Sequence, residues 1–181
     1  VKNEELQKNI ILNYSLKKNT IIKLLNDHKN FNTIINSNNK LNFTDKNLNN
    51  ILQIMLINKY SEDDITLLIN KSDVNINNIN IFGKNALYYA FYNFSIFKYL
   101  ISKDCGYLIL DNNLESLLFD AVRNNVSTPF LEYIIKSCDC DVNHKNNNRL
   151  SVIFETTNID IIKILLKNGF DVETKDLNGN N

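Results

Sequence analysis

The sequence predicts an all-α solenoid, a row of stacked helix–turn–helix repeats, and three observations predict it. The apolar middle residue of a short recurring motif falls at Val74 in "DVN", Val142 in "DVN" and Val172 in "DVE". Leu41 and Tyr107 take the same place, so the steps run 33, 33, 35 and 30 residues. Four residues after each mark stands a polar residue suited to opening a turn: Asp45, Asn78, Asp111, Asn146 and Asp176. Between marks, each unit carries two short apolar stripes at helical spacing.

Residues 1–40 do not keep this phase. Leu6, Ile10 and Ile11, then Ile21, Ile22, Leu24 and Leu25, then Ile34 and Ile35 predict two or three helices, an N-terminal helical cap or a degenerate repeat. A cap is reasonable because a first repeat otherwise leaves an apolar face bare. Residues 41–181 then hold about four repeats and the start of another. In the first, Ile51, Leu52 and Met55 make one stripe and Ile65, Leu68 and Ile69 the next, with Ser61 and Asp64 placed as an N-cap and acidic first turn. The second offers Leu87 and Ala90, then Ile96, Tyr99 and Leu100. The third offers Leu118 and Ala121, then Leu131, Ile134 and Ile135. The fourth has Ile153, then Ile161, Ile162, Leu165 and Leu166, with Gly169 placed as a helix C-cap. Helices this short are marginal alone in water and are stabilised by stacking on their neighbours. The closing "KDLNGNN" opens another turn, so further repeats are expected beyond it.

The stretch "GKNALYYA", Gly83 to Ala90, resembles the signature of the ankyrin-repeat family, a ~33-residue unit of a β-turn and two helices marked T-P-L-H-x-A. Gly83 matches the turn glycine, Asn85 stands for Thr, Ala86 for Pro, Leu87 for Leu, Tyr88 for His and Ala90 for Ala. "DIIKILLKNGFDVETKDLNGNN" resembles the second helix, its glycine stop, the loop and the next turn. The resemblance covers roughly 41–181 in degenerate form: no unit keeps the whole signature, and Tyr88, Phe119 and the Ser151–Ile153 region replace its histidine. The loop before Gly83 holds about two extra residues, and the unit after Asn146 is about three short.

Composition points away from several function classes. Twenty basic residues balance twenty acidic ones, and only Arg123 and Arg149 among them are arginines, so no phosphate-binding surface and no nucleic-acid partner is expected. The aromatic run 86–99 has only Lys98 interleaved, where a base-stacking surface needs several cations. No apolar run is long enough to cross a bilayer, and three cysteines form an odd set that suits reduced thiols, so a soluble, cytoplasmic, monomeric protein is expected. Cys138, Cys140 and His144 make a C-x-C-x3-H group that lacks a fourth zinc ligand unless Asp139, Asp141 or Cys105 supplies it. His28 sits in "NDHKN" without a catalytic partner, and no nucleophile or phosphate-loop motif is present. No enzyme activity, metal or cofactor is expected. Clusters of Asn at 36–39, 75–80 and 145–148 read as loops.

The family resemblance implies a binding surface on the turn tips and the exposed side of each first helix. By register, the partner-binding residues are Lys84, Tyr92, Asn93, Asn112, Glu115, Arg123 and Asn124, with Tyr92 foremost. Lys46, Asn47, Asn49, Asn58, Ile81, Phe82 and Asn113 lie in the same register, and so do His144, Lys145 and Glu155. The function implied is a non-catalytic protein–protein interaction scaffold. The alternative is a structural spacer between domains of a larger protein.

Overall fold

The computed structural model describes residues 18–26, 31–36, 41–175 and 179. Helices and two single 3-10 turns follow in order: α1 (Lys18–Asn26), α2 (Phe31–Ile35), α3 (Ile51–Ile57), α4 (Glu62–Lys71), η1 (Ala86–Tyr89), α5 (Phe94–Ser102), α6 (Leu117–Arg123), α7 (Thr128–Ser137), η2 (Val152–Glu155) and α8 (Ile159–Lys167). The described residues contain no strand, only isolated antiparallel bridges between Thr44 and Asn50 and between Lys145 and Ser151. Among them, no helix is long and apolar enough to cross a membrane. Leu6, Ile10, Ile11 and His28 lie outside the described residues. The chain forms two compact units, residues 1–81 and 82–181.

In the first unit α1 lies against α3 and α2 against α4, first helix on first helix and second on second. Ile21, Leu25, Ile34, Leu52, Met55, Ile65 and Leu68 are all buried there. Each such side chain contributes about 1.5–3 kcal/mol by leaving water, which offsets the entropy of ordering short helices. Tyr60 closes the group: its hydroxyl donates to the Leu25 carbonyl (2.8 Å) and its ring meets Phe31 edge-on at 5.7 Å.

The second unit repeats the scheme, with η1 on α6, α6 on η2 and α7 on α8. Between α5 and α7 the packing is aromatic: Phe94 stacks on Phe130 at 4.4 Å, and Phe97 meets Phe130 edge-on at 5.0 Å.

Where the sequence predicts first helices around Leu87 and Ile153, the structure has one 3-10 turn each. The N-caps of first and second helix stand eleven residues apart in Asn50 to Ser61 and in Ser116 to Ser127, but eight in Asn85 to Asn93 and seven in Ser151 to Asn158. Three or four residues fewer removes one helical turn.

Asparagine has a structural use here. Asn58, Asn124 and Asn168 each occupy a helix C-cap and donate Nδ2 to the carbonyl four residues back at 2.8 Å (Ile54, Asp120 and Ile164). A left-handed residue follows each cap: Lys59, Asn125 and Gly169. The next amide then bonds back to Met55, Ala121 or Leu165, which closes the helix end.

Candidate functional site

The turns joining one repeat to the next form fingers of one design. Asp45, Asp111 and Asn146 each accept, on Oδ1, the backbone N–H groups two and four residues ahead, which folds the chain back locally. Three residues after each stands a left-handed residue: Leu48 (φ 60), Leu114 (φ 57) and Arg149 (φ 56). Gly83 (φ 77) holds that place in the remaining finger, so its opening residue is Asn80. This corrects the expectation for Asn78, whose side chain instead bonds the Leu48 carbonyl and Gln53 Oε1. The two extra residues before Gly83 cause the shift.

Neighbouring fingers are joined by main-chain bonds in a fixed register. The first tip N–H of each donates to the second tip carbonyl of the one before: Ile81 to Asn47 (3.0 Å), Asn112 to Phe82 (3.0 Å) and Asn147 to Asn113 (2.9 Å). A Cβ on Gly83 would stand 2.8 Å from the Asn112 nitrogen, so both close approach and positive φ require glycine there.

Side chains near the finger stems continue the joining. Asn80 donates to Asn49 Oδ1 in the first unit (2.7 Å), and Asn146 donates to Glu115 Oε1 in the second (2.9 Å). Around Glu115 the second unit builds a charged network. Lys84 Nζ bonds both carboxylate oxygens of Asp120 at 2.9 Å and lies 3.5 Å from Asp111. Arg123 reaches Glu115 through Nη1 (2.5 Å) and Nη2 (2.7 Å), and Glu155 through Nε (2.8 Å) and Nη2 (2.9 Å). The Arg123 hydrogen bonds hold the Glu115 carboxyl below its ordinary range, and Glu115 in turn raises Arg123. Burial raises Asp120 in spite of its Lys84 bonds.

The seven residues proposed from sequence divide by environment. Lys84, Glu115 and Arg123 meet in that network; Glu115 is 3% exposed and paired with Arg123. Asn112 and Asn124 are exposed, Asn112 at a fingertip and Asn124 at the C-cap of α6. Asn93 caps α5 by accepting the Ile96 N–H. Tyr92 is half-buried beside it, and burial pushes its phenol up to about 12. Sequence reasoning missed Asp120, which stands nine residues after its finger's opening Asp111, as Glu155 does after Asn146.

Tyr88, at the family's histidine position, donates to or shares its hydroxyl with the carbonyls of Ile109 (2.9 Å) and Glu115 (3.0 Å), so it ties the following finger. Burial, aided by the nearby carboxylates, raises its phenol. Asn50 and Asn85, at the Thr position, donate to the Asn75 and Gly106 carbonyls at 2.7 and 2.5 Å. Ser116 and Ser151 hold the same place, and their buried hydroxyls have no partner.

Asp111, Glu115 and Asp120 bring carboxylate oxygens within 4.8 Å of one another, but Lys84 and Arg123 already supply positive charge there. His144 Nε2 lies 2.6 Å from the Leu114 carbonyl oxygen, which requires the proton on that nitrogen. Burial pushes Cys105, Cys138 and Cys140 up to about 12, far from thiolate chemistry at neutral pH. Crevices of about 390 and 200 Å³ occupy equivalent places, with Leu41 and Asn50 in one where Tyr107 and Ser116 stand in the other. They are a product of the repeat geometry.

The family profile for ankyrin repeats, in three copies, matches residues 52–146, more than half of the chain. The chain belongs to the ankyrin-repeat family. No curated protein sequence matches it. Among solved structures, it is similar to a chain of the complex of the predatory endopeptidase Bd0816 from Bdellovibrio bacteriovorus with immunity protein Bd3460. The TM-score is 0.71 with 21% identity, over 92% of this chain and 88% of that one. That likeness, at low identity, supports the ankyrin fold. Ankyrin repeats generally act by binding other proteins.

Proposed function

We propose that this ankyrin protein is a non-catalytic interaction scaffold whose second unit captures a protein partner on the face formed by its fingers, η1, α6 and η2. The observation that carries this reading is the Lys84–Asp120 and Glu115–Arg123–Glu155 network. It holds long cationic side chains in one geometry at a partly exposed face. Ordering them in advance removes an entropic loss that binding would otherwise incur. Tyr92, Asn93, Asn112 and Asn124 complete the contact set, and Glu115 positions Arg123. Tyr and Arg are the side chains most often found as interface anchors. The structural neighbour comes from a two-protein complex, in keeping with such a role. We place the protein in the cytoplasm as a monomer.

The test is site-specific photocrosslinking from position 92, with position 163 on the exposed side of α8 as control, followed by binding measurements with the captured protein. Tyr92→Ala and Lys84→Ala weaken that complex by about tenfold each while the circular dichroism spectrum is unchanged. If neither these nor Arg123→Ala alters any interaction, the repeats are a spacer and the scaffold reading fails.

A further inference from the structure

Arg123 is committed along the edges of its guanidinium and remains partly exposed. Nε donates to Glu155, Nη1 to Glu115, and Nη2 to both, so four of the five N–H groups of the fork are engaged. The guanidinium carbon lies over the Phe119 ring, 5.8 Å from its centroid. The side chain nevertheless keeps 35% of its exposure. With two edges of the fork taken by carboxylates and Phe119 beneath, the approach left to a partner is the side of the guanidinium away from Phe119, together with a single remaining Nη1–H.

That arrangement selects among partners. A carboxylate from outside finds one free N–H instead of a paired edge, and it would sit beside two like charges unless it displaced Glu115 or Glu155. An aromatic ring needs no N–H edge. It stacks on a guanidinium plane through the ring's negative face, and this plane is already stripped of water along its rim. Phe119 makes that contact from within, so a ring from outside would complete a sandwich. Tyr92 stands at the same register position in the preceding repeat, twelve residues after the finger's opening residue.

We infer that the partner presents an aromatic side chain, not a carboxylate, to the open face of Arg123. This rests on the protein-binding reading above and specifies the chemistry of its centre.

The experiment is selection from a random peptide library on the intact chain, with each selected peptide then measured on variants. Because the chain contains no tryptophan, the fluorescence of a peptide tryptophan reports binding without background. The expected peptides carry Trp, Tyr or Phe, and replacing that residue with Leu weakens binding about tenfold. Arg123→Lys keeps the charge but loses the plane, and weakens the same peptides to a similar degree. Glu155→Ala removes both acceptors from the Nε edge and allows acidic peptides to bind. Peptides that lose affinity on Tyr92→Ala yet bind Arg123→Lys as well as the parent overturn this inference alone, as do acidic peptides dominating selection on the parent. If no peptide responds to Tyr92→Ala, Lys84→Ala or Arg123→Lys, the binding reading falls and takes the inference with it. Should Arg123→Lys fail to fold, the Arg123 Nε–H resonance of the parent chain decides: an aromatic peptide shifts it by its ring current and the Leu-replaced peptide does not, and no shift overturns the inference.

Discussion

Gly83 and Gly169 both adopt left-handed backbone, φ 77 and 89, and they differ in what surrounds them. Around Gly169 nothing lies within 4 Å of a built Cβ; around Gly83 the Asn112 side-chain oxygen would lie at 2.7 Å and the Asn112 backbone nitrogen at 2.8 Å. Alanine at either position incurs the left-handed penalty of about 1 kcal/mol. At Gly83 the methyl also forces apart two fingers joined by the Asn112-to-Phe82 bond, which adds about 1 kcal/mol for the bond and a similar amount for displaced backbone. Gly169→Ala should therefore destabilise by about 1 kcal/mol and Gly83→Ala by about 3. For a chain of this size that corresponds to melting-temperature drops of about 3 °C and about 9 °C. Thermal unfolding followed by circular dichroism at 222 nm measures both. Equal drops would refute the reasoning, because the conformational term would then be the whole effect and the finger contact would contribute nothing.

Ser116→Asn should raise stability by about 1 kcal/mol, since the longer side chain can reach the Asp141 carbonyl as Asn50 reaches that of Asn75; chemical denaturation tests it. Tyr88→Phe should lower stability by about 1–2 kcal/mol and speed amide exchange in the finger that opens at Asp111, because two carbonyls lose their shared donor. Glu115→Gln should destabilise by about 2 kcal/mol at neutral pH, moderated because Arg123 keeps Glu155 and partial exposure. Glu115 is held below its ordinary value of 4.5, so the stability it supplies is fully present above that pH and is lost as pH falls through the depressed value. Denaturation of both proteins from pH 7 to pH 3 should show the difference between them shrinking over that acidic range.

The repeat phase was legible because Val74 and Val142 mark loops that recur along the chain, and the paired apolar stripes recover both helices of the first and third repeats and the second helices of the other two, whose first helices are 3-10 turns. Two features escaped for a physical reason. A finger's opening residue is defined by backbone shape, so Asn78 and Asn80 look alike in sequence; only the left-handed Gly83 three residues after Asn80 separates them. Leu48, Leu114 and Arg149 adopt the same conformation without being glycine, a strained choice that composition cannot announce. The candidate face was legible one residue at a time. Lys84, Glu115 and Arg123 could be placed by register, but Lys84 meets Asp120 across 36 residues, a pairing set by the offset between stacked repeats. Likewise the burial of Glu115 follows from Asn146 and Arg123 closing over it, which no local pattern encodes.

Main-chain bonds between neighbouring fingers hold the candidate face in register. Native-state hydrogen exchange at the Ile81, Asn112 and Asn147 amides tests this directly, because each is at a loop tip that would exchange freely if it faced only water. The prediction is protection of all three by about a hundredfold or more over the unstructured rate. Exchange at the unstructured rate would contradict it.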